Sequence, residues 1–147
     1  MAKRIFIIED DENILYGLQD RFTSDGYEVE ISSADEDLDF LITRIKKNRP
    51  NFLILDILLP KMDGLEIIKT MKGDEDISEA QVLIFTDLSD EDGKTRSSDL
   101  GINHYFLKSE MDVNEFVDRA EIIMEGETED EVERLEEDAE EDDIVLE

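Results

Sequence analysis

Phe52-Leu53-Ile54-Leu55-Asp56 is a run of four apolar residues closed by a carboxylate. A strand with one wet face alternates apolar and polar residues, whereas an unbroken apolar run suits a central strand buried on both faces. Such a strand needs helices above and below its sheet, and the flanking sequence supplies them. Upstream, Leu38, Leu41, Ile42 and Ile45 recur at i, i+3, i+4 and i+7 and stop before Pro50, the pattern of an amphipathic helix. Before them come a short strand at 29–31, entered from the Asp25-Gly26 turn, a helical face of Ile14, Leu15, Leu18 and Phe22, and a first strand at 5–8. Downstream, Leu65, Ile68 and Met71 mark a third helix. Strands follow at 82–85 and 105–107, and Val113, Phe116, Val117, Ala120 and Met124 line a final helix. The expectation is an α/β fold, a five-stranded parallel sheet doubly wound by right-handed crossovers with helices on both faces. Residues 90–99, with Gly93 in their midst and no large apolar side chain, are expected to form only a short or frayed helix that moves easily.

A chain of 147 residues with 39% hydrophobic content suits one domain with one core. It has no cysteine, which excludes disulfides, thiol catalysis and thiolate metal sites. Its one histidine, His104, cannot build a zinc site by itself and reads as a surface loop residue. No apolar run reaches the roughly 20 residues of a membrane span, so no membrane insertion and a cytoplasmic location are expected. The net charge of −28 argues against nucleic acid as a direct partner, since two polyanions repel. Residues 125–147 carry 14 of the 43 acids against one base, Arg134. That imbalance separates a domain at 1–124 from an acidic C-terminal tail at 125–147, read as solvated and disordered or partly helical. Val132, Leu135 and Ala139 form a thin apolar stripe, and residues 144–146 offer an apolar anchor should the tail fold on a basic partner.

In an open doubly wound sheet, ligands gather beyond the carboxyl ends of the strands. There the chain places Glu9, Asp10, Asp11 and Glu12 after the first strand, Asp56 after the third, Thr86 at the end of the fourth and Lys108 after the fifth. Crowded carboxylates call for a cation, and hard oxygen donors suit magnesium. Asp56 can attack a phosphoryl group as a carboxylate nucleophile. Magnesium and the Lys108 ammonium offset charge on the phosphoryl oxygens, and the Thr86 hydroxyl can donate to one of them. Glu9 and Asp10 also suit a cap for a helix starting near Asn13, and the metal pair reads as Glu9-Asp10 or, one residue on, Asp10-Asp11. Asp63 and Gly64 read as loop-shaping residues that start the next helix. An EF-hand at Asp90-Glu91-Asp92-Gly93 fails, because Leu88 would take its first ligand position.

These motifs together resemble response-regulator receiver domains of two-component signalling. Residues 55–64, Leu-Asp-Ile-Leu-Leu-Pro-Lys-Met-Asp-Gly, look like the phosphoacceptor loop. Ile7-Ile8-Glu9-Asp10-Asp11 resembles the acidic pair, Phe85-Thr86 the switch threonine, and Tyr105-Phe106-Leu107-Lys108 the switch aromatic with its lysine. The resemblance covers about residues 3–124. It implies the flavodoxin-like strand order 2-1-3-4-5 and phosphorylation of Asp56 by a histidine kinase or phosphotransfer protein. It implies magnesium held by Asp10, Asp56 and the backbone carbonyl of Leu58, with Glu9 acting through water. Thr86 and Tyr105 would form the switch, and the face from about 88 to 124 (the fourth helix, fifth strand and fifth helix) would meet an unidentified downstream protein. Such a protein promotes its own phosphorylation and dephosphorylation and turns over no external substrate. With no output domain after the acidic tail, a single-domain, chemotaxis-type regulator is expected.

The sequence departs from the family pattern in three places. Asp87 replaces a small residue after Thr86. Ser109 replaces the usual proline after Lys108, leaving that peptide trans or strained. Leu58 and Leu88 are apolar where the pocket opens, which points to a long-lived acyl phosphate for want of groups that orient water. Two other readings stand beside this one. A haloacid-dehalogenase-type phosphatase would need a second aspartate two residues after Asp56, where Leu58 stands. A receiver-shaped docking module would act without phosphorylation through its acidic tail.

Overall fold

The computed structural model describes residues 2–126. Its elements are β1 (Arg4–Ile8), α1 (Glu12–Ser24), β2 (Glu28–Ser32), α2 (Leu38–Asn48), β3 (Phe52–Leu55), α3 (Gly64–Lys72), β4 (Gln81–Thr86), α4 (Glu91–Asp99), β5 (His104–Leu107) and α5 (Val113–Met124). The five strands are parallel, in the order β2-β1-β3-β4-β5.

Strand periodicity divides the interior into two cores. Ile5, Ile7, Phe52, Ile54, Leu83 and Phe85 point to one face, where Leu15, Leu18 and Phe22 of α1 meet Phe116, Val117 and Ala120 of α5. Phe6, Ile8, Leu53, Leu55, Val82 and Ile84 point to the other, under Leu41, Ile42 and Ile45 of α2 and Ile67, Ile68 and Met71 of α3. Successive strand residues face opposite ways, so a strand covered on both sides must be apolar at every position, and β3 is buried throughout. Phe85 stacks on Phe116 at 4.2 Å between centroids, tying β4 to α5.

All five helices begin on an aspartate cap: Asp11, Asp37, Asp63, Asp90 and Asp112 each accept from a backbone N–H of the first turn. Each carboxylate satisfies an otherwise orphaned donor and sits at the positive end of the helix dipole. The strand direction places all five caps around the carboxyl end of the sheet. Part of the chain's acidity therefore has a local structural use.

Residues 91–99, expected as a short or frayed helix, form a short, regular helix of nine residues. The Asp90 carboxylate accepts from Gly93 N at 2.7 Å, and the Ser97 hydroxyl donates to Gly93 O at 2.8 Å, offsetting the missing apolar face. His104 opens β5 instead of lying in a loop, its ring beside Gln81 Nε2 at 3.1 Å. Asp11, not Glu9 or Asp10, caps α1, which starts at Glu12. No helix among the described residues is long and apolar enough to cross a membrane. The tail expectations, apart from residues 125 and 126, lie outside the described residues.

Candidate phosphoacceptor site

Strand order reverses between β1 and β3, since β1 leads to β2 on one side and pairs with β3 on the other. Glu9 leaves β1 and Asp56 leaves β3 at that point, with Asp56 N donating to Ile8 O at 3.0 Å. Asp56 is 4% exposed, Glu9 2% and Thr86 fully buried, an environment in which charge must be answered locally.

The answer is built around Asp56. Lys108 Nζ lies 2.6 Å from Asp56 Oδ2 and 2.5 Å from Glu9 Oε1. Thr86 donates its hydroxyl to Asp56 Oδ1 at 2.7 Å, and Leu58 N donates to the same oxygen at 2.9 Å. Burial pushes the Glu9 carboxyl up to about 7, and the neighbouring Lys108 ammonium only partly pulls it back. Burial alone would lower Lys108, but its hydrogen bonds to Asp56 and Glu9 outweigh that and hold it above its ordinary value.

Carboxylate oxygens of Glu9, Asp10 and Asp56 lie within 4.8 Å of one another. Asp10 and residues 57–63 line an open cleft of about 620 Å³ beside them. Three carboxylates against one ammonium leave excess negative charge, and an all-oxygen donor set fits a hard divalent cation. The carboxylates grouped with Asp56 are those of Glu9 and Asp10, while the Asp11 side chain accepts from Asn13 N and Ile14 N.

Sequence reasoning missed the role of Leu88. Its N–H donates to Thr86 Oγ1 at 3.3 Å, and its carbonyl accepts from the half-buried Tyr105 hydroxyl at 2.5 Å. One backbone unit therefore joins both expected switch residues. The Leu88 side chain packs where only a glycine leaves room: a Cβ on Gly93 would stand 2.6 Å from Leu88 Cδ2. Polar side chains cannot signal such a link, though the mid-helix glycine is its trace in the sequence. Arg96 reaches from α4 to within 3.7 Å of Asp63 in the β3–α3 loop. Asp87 is exposed, and the Lys108-Ser109 peptide is trans.

A buried aspartate at the switch point of a five-stranded parallel sheet, held by a lysine and a threonine beside an acidic pair, is the arrangement expected of a receiver-type domain. Residues 5–121 match the response regulator receiver domain family, and the chain belongs to it. It is 33% identical over 120 residues to sporulation initiation phosphotransferase F of Bacillus subtilis, covering 80% of this chain and 90% of that protein. It is 29% identical over 108 residues to the alkaline phosphatase synthesis transcriptional regulatory protein PhoP of the same organism. That match covers 74% of this chain and 43% of PhoP, so the chain spans less than half of that larger regulator. Among solved structures, a manganese-bound form of response regulator Rcp1 superposes with a TM-score of 0.73 at 25% identity, covering 86% of this chain and 97% of that one. A CheY-like receiver domain protein from Methanospirillum hungatei shares the fold with a TM-score of 0.73 at 23% identity, over 91% of this chain and 98% of the other.

Proposed function

We propose that Asp56 accepts a phosphoryl group from a phosphohistidine on a histidine kinase or phosphotransfer protein in the cytoplasm. The reading rests above all on the pairing of one buried carboxylate with Lys108 on one oxygen and Thr86 on the other. A carboxylate oxygen of Asp56 attacks phosphorus, the phosphorus–nitrogen bond breaks, and the imidazole leaves. Glu9, Asp10, Asp56 and the Leu58 carbonyl would hold magnesium, which when bound neutralises and orients the phosphoryl oxygens. Lys108 keeps its charge at any working pH and stands ready to contact an incoming phosphoryl oxygen. Thr86 then transfers its hydroxyl from Asp56 Oδ1 to the phosphoryl group, and Leu88 carries the shift to Tyr105 and to the α4-β5-α5 face that controls a downstream protein. The domain at 1–124 does this work, with the acidic segment at 125–147 appended. The phosphatase alternative lacks its general acid, because Leu58 occupies that position.

Incubation with acetyl phosphate, with and without magnesium, tests this by intact mass. The expected result is a magnesium-dependent gain of one phosphoryl group that is absent in Asp56→Asn. If acetyl phosphate and a panel of histidine kinases all fail to add it, the docking-module reading replaces this one.

A further inference from the structure

Glycine is the poorest helix former after proline, yet Gly93 stands in the first turn of α4. It is one of two residues that this helix buries, Ser97 being the other. Its backbone does not require glycine. Its φ is not positive. Its N–H donates to the Asp90 carboxylate at 2.7 Å and its carbonyl accepts from the Ser97 hydroxyl at 2.8 Å, bonds that an alanine would equally make. What does require glycine is space. A Cβ would meet Leu88 Cδ2 at 2.6 Å, Leu88 Cγ at 3.0 Å and the Asp90 carboxylate at 3.1 Å.

Leu88 fills that space from the connection between β4 and α4. It is half-buried and packs, with Leu100 and Tyr105, against the core under α2 and α3. Its peptide groups hold Thr86 Oγ1 and the Tyr105 hydroxyl, and Thr86 in turn holds Asp56. Contacts thus run without a gap from Asp56 to the first turn of α4. The helix has no large apolar side chain of its own with which to grip the domain. On its flank, Arg96 reaches Asp63 only at 3.7 Å, and both side chains are about half exposed, so that pair adds little. The seating of α4 therefore depends on Leu88.

We propose that Gly93 is a positioning residue of the switch: its bare Cα is a socket for Leu88, and the socket makes α4 move with the peptide that joins Thr86 to Tyr105. The trigger is the phosphorylation of Asp56 proposed above, and to that extent the movement rests on that reading; the socket itself is present without it. When the Thr86 hydroxyl leaves Asp56, the Leu88 N–H follows it, and the Leu88 side chain carries the displacement into the first turn of α4. A close-packed contact transmits such a shift instead of absorbing it. A methyl group in the socket breaks the link by forcing Leu88 out.

Gly93→Ala, Leu88→Ala and the double substitution test this in the full-length, isotope-enriched protein. Alanine favours helix, so Gly93→Ala is expected to fold, and the double substitution removes the clash in any case. The ring signal of Tyr105, identified by its loss in Tyr105→Phe, reports on the bond to Leu88. In the unmodified protein Gly93→Ala should shift that signal and the amide of Leu88. Adding Leu88→Ala should return the ring signal to its original position, because the shorter side chain leaves room for the new methyl and keeps the peptide. After acetyl phosphate and magnesium, the amides of residues 91–99 should shift together with the Tyr105 ring. In each single variant the mass gain should persist while the shifts at 91–99 are lost. A Tyr105 signal unmoved by Gly93→Ala overturns the proposal, since Leu88 would then swing aside without moving its peptide. So does a shift that persists in the double variant, which would trace the effect to the Asp90 cap, or a response at 91–99 that survives in both single variants. If the unsubstituted protein gains no phosphoryl group from any donor, the phosphoacceptor reading falls, and the ring signals of the unmodified variants still decide the socket.

Discussion

At the scale of single residues, the loop that follows Asp56, the proposed phosphoacceptor, depends on what is missing as much as on what is present. A Cβ on Gly64 would meet Ile57 Cα at 2.5 Å and Asp56 O at 3.1 Å, backbone atoms that no rotamer change can move. Gly64→Ala is therefore expected to cost about 2 kcal/mol or more, read as a lower urea midpoint, because overpacked sites lose about 1–3 kcal/mol. It should also slow phosphorylation, since the displaced backbone carries Asp56. Leu58, which is 47% exposed, and half-buried Leu88 offer side chains that cannot orient a water for attack on an acyl phosphate. The acyl phosphate is expected to outlast seconds, and Leu58→Asn should shorten its lifetime by up to about a hundredfold, the low end of what a placed acid–base group contributes. Decay of the phosphorylated mass with time measures both, and an unmodified protein that loses phosphate in seconds would sink the idea.

The elements differ in what anchors them. α3 and α4 have nine residues each, but α3 buries Leu65, Ile67, Ile68 and Met71 whereas α4 buries only Gly93 and Ser97. With so little apolar area to lose, α4 should open locally at far lower cost, and its amides should exchange with deuterium well before those of α3. Equal protection of the two helices would remove α4 as the movable element. α5 carries a different strain. Burial, and then the facing Asp25 carboxyl, push the Glu121 carboxyl up to about 7. A carboxyl raised on folding favours the folded state while it is protonated. Its contribution is thus present below the ordinary value of 4.5 and is lost as pH rises through about 7. Glu121→Gln should flatten the fall in melting temperature across that window while leaving it nearly unchanged at pH 4.

For the whole molecule, a net charge of −28 means that folding gathers mutually repelling groups. Melting temperature should rise with sodium chloride over the range in which the screening length contracts from about 30 Å to about 8 Å. Magnesium should add a separate increment at constant ionic strength, about 3 kcal/mol at a hundredfold excess over its dissociation constant, that disappears in Asp10→Asn. A magnesium effect no larger than that of sodium at matched ionic strength would remove the metal from the proposed site.

Much of this was legible in the chain. The unbroken apolar run at 52–55, the helical spacing of Leu38, Leu41, Ile42 and Ile45, and the polar residue after each relevant strand follow from two periodicities and a topological rule. They led to a doubly wound parallel sheet and to the pocket around Asp56, because local pattern and buried face are the same information in such a fold, while the strand order came from the family resemblance. Other features were not legible. The choice of Asp11 as cap, the Glu9–Lys108 pair and the coupling of Thr86 to Tyr105 through Leu88 depend on distances between elements remote in sequence. The regularity of α4, too, depends on side-chain bonds made within the folded turn. A sequence determines which groups are available at each strand end; only packing decides which of them touch, because that depends on backbone placement to a fraction of an ångström.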